Sequence, residues 1–368
     1  MKEWGKVALG EIAQPKQWPT LSIAEMKSSG FPVYGANGRI GFYDSFTHES
    51  PTILIGCRGS CGTVHVTEPR SYANGNAMAL DALDESRVDL RFLAHFFRYR
   101  GFRDVTTGTS QPQIIRQNLV RVQVPLPPQC EQRRIAEVLD SADAMLGKRR
   151  AAIGKLDSLN QSLFLDLFGN PATNPKGWPH KTLRELGNVV TGRTPPSAKP
   201  DMFDGPIPFV TPGDLESDEP VKRSVTEEGA EESKTVRAGS TLVCCIGATI
   251  GKMGVAEVRS AFNQQLNAIE WFDQIDDLYG YAAMRFFKPT IKMWGSSTTL
   301  PILKKSSFER IEIPVPPLTD QREFARRFQC VERLRKTQRA SLIKLDELFA
   351  SLQQRAFNGE LLPCAVNS

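Results

Sequence analysis

From Glu131 to Phe168 the chain carries no proline, and apolar residues return every seven positions. One series is Ile135, Ala142, Arg149, Leu156 and Leu163; a second is Val138, Met145, Ala152 and Leu159. The rhythm reappears 189 residues later as Phe324, Val331, Gln338, Leu345 and Leu352, with Leu334 and Leu348 on the companion series. Sustained heptads predict coiled-coil helices rather than helices lying on a globular core. At about 1.5 Å per residue each would span roughly 55–60 Å. Each main series is broken at its middle by a polar residue, Arg149 or Gln338, at equivalent places. In an antiparallel pair these two would meet, fixing register at some cost in stability. Leu146, Ile153 and Leu342 are expected to remain exposed and to offer partners an apolar surface.

Outside the helices the pattern changes. Short β-branched runs, ThrIleLeuIle at 52–55 and ThrLeuVal at 241–243, alternate with glycine-rich turns, and short helices are predicted at Asp89–Arg100 and Leu278–Lys288. The whole arrangement is duplicated. Before each long helix stands a proline junction, PLPPQCEQRRIAEVLD at 125–140 and PVPPLTDQREFARRFQ at 314–329. Ser71, Asn74, Ala79, Pro112 and Arg121 fall on Ser260, Asn263, Ala268, Pro301 and Arg310; near the start, Trp4, Leu9 and Glu11 fall on Trp178, Leu183 and Glu185. The second copy therefore holds extra residues, placed in the polar stretch Asp201–Lys234. The expected fold is α+β: mixed α/β domains at 1–124 and 171–313, with helical spacers at 125–170 and 314–362. The two spacers would form an intramolecular antiparallel coiled coil with the domains at opposite ends, related by a pseudo-twofold axis.

Composition narrows the function classes. The 368 residues give a net charge of +5, which permits a nucleic-acid partner without demanding one. The N-terminal residues lack a signal-peptide apolar core, and the longest apolar runs are too short to span a bilayer, so a cytoplasmic protein without membrane contact is expected. The scattered cysteines suit reduced thiols. Cys57, Cys61 and His65 are spaced like three zinc ligands, but no fourth stands nearby, and small buried thiols are the reading adopted.

Catalytic constellations are missing. GANGRIG (35–41) and IGATIGKMG (246–254) read as tight turns rather than phosphate loops, since the second has Met253 where a P-loop needs Ser or Thr. His48, His65, His95 and His180 show no further metal spacing, and no nucleophile elbow or methyltransferase pocket motif occurs. A non-catalytic binder is expected. Its candidate DNA contacts stand beside flexible turns: Asn37, Arg39, Arg58, Ser60, Thr109, Ser110, Gln111 and Gln113 in the first domain; Arg193, Thr194, Lys199, Asn263, Gln264, Thr298, Thr299, Lys304 and Lys305 in the second. Arg, Lys, Asn and Gln suit base edges, whereas Ser, Thr and Lys suit phosphates.

The duplicated junctions PLPPQCEQRRIA and PVPPLTDQREFA, the Trp-containing openings that end in LGEI and LREL, and ATIGKMGV with FNQQLNAI together resemble the specificity subunit of type I restriction–modification systems. The resemblance covers essentially the whole chain. Departures are modest: Phe324 stands where the first junction has isoleucine, and Asp320 where it has Glu131. The resemblance implies that each globular domain reads one half of a bipartite double-stranded DNA site. It further implies that the helices set the spacing and dock two methyltransferase subunits, with restriction subunits joining the assembly. Cofactors are then expected in the partners, S-adenosylmethionine for the methyltransferases and ATP with magnesium for the translocase, and none in this chain. The alternative is a stand-alone bipartite DNA-binding or scaffold protein.

Overall fold

The computed structural model describes residues 4–108, 111–196, 200–217, 219–295 and 301–361. The chain folds as two compact units, residues 1–150 with 340–368 and residues 151–339. This differs from the four-segment division above, because each unit takes one half of each long helix. The helices themselves run Gln129–Phe168 and Leu318–Phe357.

In the first unit a four-stranded antiparallel sheet has the order Gln14–Gln17, Ala77–Asp81, Ile53–Gly56, Val64–Val66. A three-stranded sheet sets Gly38–Tyr43 antiparallel to Phe31–Gly35, whose other edge pairs parallel with Tyr72–Ala73. Ile53, Leu54 and Ile55 are all buried, as a continuous apolar run bounded by turns predicts. The predicted short helix forms at Leu90–Arg100, capped by Asp89, whose carboxylate accepts from the amides of Arg91 and Phe92. Its Phe92, Leu93 and Phe97 enter one core with Ile135 and Leu139 of the first long helix and Ala356 of the second.

The second unit repeats this plan. Its four-stranded sheet has the order Gly187–Thr191, Leu266–Trp271, Thr241–Cys244, Met253–Val255, and Phe203–Val210 again runs parallel to Ser260–Phe262. The extra residues add the short strand Ser224–Val225, the helix Glu227–Ser233 and the strand Thr235–Val236, where the first unit has the hairpin strand Gly38–Tyr43. Phe164 and Phe168 of the first long helix meet Phe324 and Phe328 of the second in an aromatic core around buried Tyr279.

The duplicated junction has a structural reason. Gln132 is fully buried; its amide donates to the carbonyls of Arg87 and Pro127, and its oxygen accepts from the Asp89 amide at 2.8 Å. Gln321 repeats each bond, donating to Gln274 and Pro316 and accepting from Asp276. One glutamine thus ties the proline turn, the long helix and the start of the short helix together. That explains why EQRR and DQRE recur.

The long helices pair antiparallel within each unit: Arg150 with Asp346 at 2.7 Å in the first, Asp157 with Arg335 at 3.2 Å and Asn160 with Glu332 at 2.6 Å in the second. The main series falls on the packed face, from buried Ile135 and Phe324 through the half-buried Ala142, Arg149, Leu156, Leu163, Val331, Gln338, Leu345 and Leu352. The companion series is different from the expectation. Met145, Leu159, Leu334 and Leu348 are exposed, and Val138 is only half-buried. The companion residues instead lie four positions on: Leu139, Leu146, Ile153 and Asn160 in one helix, Phe328, Arg335, Leu342, Phe349 and Ala356 in the other. Leu146 and Ile153 are accordingly buried and Leu342 half-buried, which overturns their reading as exposed leftovers. A seven-residue repeat allows either companion; Leu139, buried in the first unit's core, selects the second. Among the described residues no helix is long and apolar enough to cross a membrane.

Candidate nucleic-acid interface

In the first unit the strand Ile53–Gly56 runs straight into a loop at residues 57–62. Gly59 and Gly62 have φ of 73° and 83°, a left-handed backbone that side chains disfavour. The loop is fastened on several sides. The amides of Cys57 and Arg58 donate to the Asn76 carbonyl, and the Ile114 amide donates to the Cys57 carbonyl at 3.1 Å. Ser60 donates to Asn37 Oδ1 at 2.7 Å, and the Thr63 hydroxyl reaches the carbonyls of Ala36 and Ser60. Gln17 adds a bond from its amide to the Gly75 carbonyl at 2.9 Å and another to Cys57 Sγ at 3.0 Å.

These bonds gather Asn37, Arg58 and Ser60, with Gln113 on the adjoining strand Gln113–Ile114. Arg58 is exposed and has no ion-pair partner among the described residues. Arg39 also faces solvent, 3.6 Å from Glu68, so part of its charge is already answered. Gln111 and Gln113 are exposed; Thr109 and Ser110 lie outside the described residues.

The corresponding loop of the second unit is Ile246–Gly251, with φ of 93° at Gly247 and 87° at Gly251. It is held the same way: the Cys245 amide donates to the Gln265 carbonyl, and the Leu303 amide to the Cys245 carbonyl, both at 2.8 Å. The IGATIGKMG stretch is thus a fastened turn, as its sequence suggests. Thr194 donates to Gln264 Oε1 at 2.6 Å, which places these two predicted residues together. Arg193 stands 3.8 Å from Glu232, and Lys304 is exposed at the start of the short helix Lys305–Phe308. Lys199, Thr298 and Thr299 lie outside the described residues.

Asn263 is a correction. It is buried, its Oδ1 accepts from the Gln265 amide and its Nδ2 donates to Gln265 Oε1, so it shapes the turn and is not free to touch a base. Asn74, at the shared offset in the first unit, is also buried but bonds elsewhere, taking the Leu21 amide and donating to the Leu21 carbonyl. Sequence reasoning also passed over residues beside these loops: Gln17 and Asn76 in the first unit, Lys292 and Trp294 in the second. Lys292 is exposed, and its stem lies against Gly251; Trp294 is 43% exposed. The shared offset at Asn74 and Asn263 pointed towards Asn76, but nothing local marked Trp294.

Two of the three groups weighed for zinc bond elsewhere in the fold. Cys57 is buried, which pushes its thiol pKa up, and it accepts from Gln17; His65 Nε2 lies 3.2 Å from the Ala36 carbonyl. Among the described residues no three His, Cys, Asp or Glu side chains group as a metal site.

Known proteins resemble the chain in sequence and in fold. A family model for the type I restriction modification DNA specificity domain matches residues 1–153 and again 175–345. The chain is 22% identical over 318 residues to the putative type I restriction enzyme MjaX specificity subunit of Methanocaldococcus jannaschii, covering 81% of this chain and 74% of that protein. It is 20% identical to the EcoDI specificity subunit of Escherichia coli, over 98% of this chain and 89% of that one. In three dimensions it resembles the type I restriction–modification S subunit from M. genitalium, with a TM-score of 0.68, 18% identity and 96% of both chains covered.

Proposed function

The chain belongs to the type I restriction modification DNA specificity domain family, and from that premise we propose how it works. It is the DNA specificity subunit of a type I restriction–modification complex, and each unit reads one half of a split DNA sequence. The first unit reads with Arg58, Asn37, Ser60, Gln111 and Gln113; the second with Thr194, Gln264, Lys292 and Lys304. The observation that carries this is the duplicated fastened loop: the frame repeats, whereas the exposed side chains differ. Arg58 can bridge guanine O6 and N7, the commonest specific contact in the major groove, whereas the lysines suit phosphates.

Because the loops differ, the half-sites differ and the target is asymmetric. The long helices, 40 residues each and ~60 Å by rise per residue, set the number of unread base pairs between them. They also dock two methyltransferase subunits, and restriction subunits complete the assembly. The chain itself catalyses nothing. S-adenosylmethionine, ATP and magnesium act in the partners, and the complex works in the cytoplasm.

The test is methylome sequencing of a methylation-deficient host that expresses the chain with a methyltransferase subunit. A split asymmetric motif that vanishes without this chain is the expected result. A palindromic motif would overturn the two-reader account, and no motif from an assembled complex would favour a scaffold.

A further inference from the structure

Beside each fastened loop the two units present unlike side chains from matching backbone. In the first, the Ile114 amide donates to the Cys57 carbonyl, and Gln113 just before it pairs with Thr107 across a two-stranded ribbon. In the second, the Leu303 amide makes that bond to the Cys245 carbonyl, so Ile302 takes the place of Gln113. The Ile302 amide donates to the Gly295 carbonyl at 3.0 Å, at the end of the helix Lys288–Gly295. Trp294 precedes Gly295 as Thr107 precedes Gly108. The exposed polar pair Thr107 and Gln113 is thereby exchanged for an apolar pair, Trp294 and Ile302.

Trp294 is 43% and Ile302 42% exposed, yet the backbone that carries them is braced. Ile291 anchors the helix in the core. Gly251 of the loop lies against the stems of Lys288 and Lys292, and a side chain at Gly295 would strike Ile250. Ile302 also forms an antiparallel bridge with Ile246. Both apolar groups are thus held in water from a firm support.

Their surroundings are cationic. Lys292 and Lys304 are exposed and have no ion-pair partner among the described residues, whereas Glu216 is already answered by Lys288 at 2.6 Å. An apolar pair next to unanswered lysines fits a polyanion that also offers apolar groups. Duplex DNA is one: among base edges in the major groove, thymine alone presents a methyl group.

We propose that Trp294 and Ile302 are specificity-determining residues of the second unit and read thymine through its 5-methyl group in the major groove. Lys292 and Lys304 hold the flanking phosphates. The first unit, with Thr107 and Gln113 at the matching place, reads by hydrogen bonds there instead. The second half-site therefore contains a thymine in contact with these two side chains. This inference rests on the specificity-subunit reading.

The experiment measures binding of the full chain, with its methyltransferase subunit, to duplexes carrying the methylated motif. Each thymine of the second half-site is replaced in turn by deoxyuridine, which lacks only the methyl. Wild type is expected to lose about fourfold at one or more of these positions, the worth of one buried methyl-sized group. Trp294→Ala and Ile302→Gln should bind the thymine duplex more weakly and no longer distinguish thymine from uracil. Uracil in the first half-site should affect wild type and variants alike. Equal wild-type affinity for every thymine and uracil duplex overturns the methyl contact, as do variants that keep the wild-type preference or a second half-site without an A·T pair. Each of these results leaves the specificity-subunit reading intact. If Trp294→Ala melts early, Ile302→Gln decides alone, because glutamine already stands at the matching position 113. A wild-type complex that prefers no sequence overturns both readings.

Discussion

In the first unit the loop after the strand Ile53–Gly56 presents Arg58; in the second, the residue that follows the matching Cys245 is Ile246, and the exposed tip is Ala248–Thr249. Around these unlike tips the fastenings match: a backbone carbonyl from Asn76 or Gln265 and an amide from Ile114 or Leu303. Gln132 and Gln321 likewise make the same three bonds. The difference teaches a division of labour. Buried polar groups that bond backbone are costly to change, because every partner is left unpaired. Exposed tips can change freely, since water takes over whatever a lost side chain had bonded. A duplicated reader can therefore keep its frame and acquire two specificities.

The largest effect is expected in the helices that both units share. Leu146→Ala should cost about 2–5 kcal/mol, whereas Met145→Ala should stay within about 0.5 kcal/mol, because only the first is buried. Thermal and denaturant melts measure both, and equal losses would mean that the companion series had been misassigned. Next, Gln132→Ala and Gln321→Ala should each destabilise their own unit by about 2–4 kcal/mol, from several buried groups at about 1–3 kcal/mol each. Calorimetry that shows no loss for either would remove the glutamine as the reason for the repeated junction.

Smaller and more selective is Arg58→Ala, expected to cost about 1–3 kcal/mol against the cognate first half-site and nothing against the second. A uniform loss across sequences in a binding titration would assign Arg58 to phosphate instead. The smallest effect is chemical. Both units bury a thiol at the loop base, Cys57 and Cys245, and burial pushes Cys245 up to about 12. Alkylation of the native protein near pH 8 should therefore label exposed Cys130 and Cys330 and spare these two until unfolding. Rapid labelling of either would show that its loop base is open and that the frames are not alike.

Much of this was legible from residue order alone. Heptads and the missing prolines located two long helices, the 189-residue offset announced two copies, and apolar runs between glycines marked the central strands. The turns that bring Arg58 near Asn37 and Ser60, and Thr194 near Gln264, were legible because glycine-rich turns rarely sit inside a core.

What tertiary structure alone decided came down to partners distant in the chain. The seven-residue period is equally satisfied by Leu159 and by Ile153, and only packing against other segments buries one and exposes the other. Asn263 reads like an exposed recognition residue, yet its turn is held by the Val210 carbonyl, which takes the Asn263 amide, and its side chain closes on Gln265. Local sequence sets which bonds a side chain can make. Whether it spends them on its own fold or on DNA depends on what the rest of the chain brings within 3 Å or so.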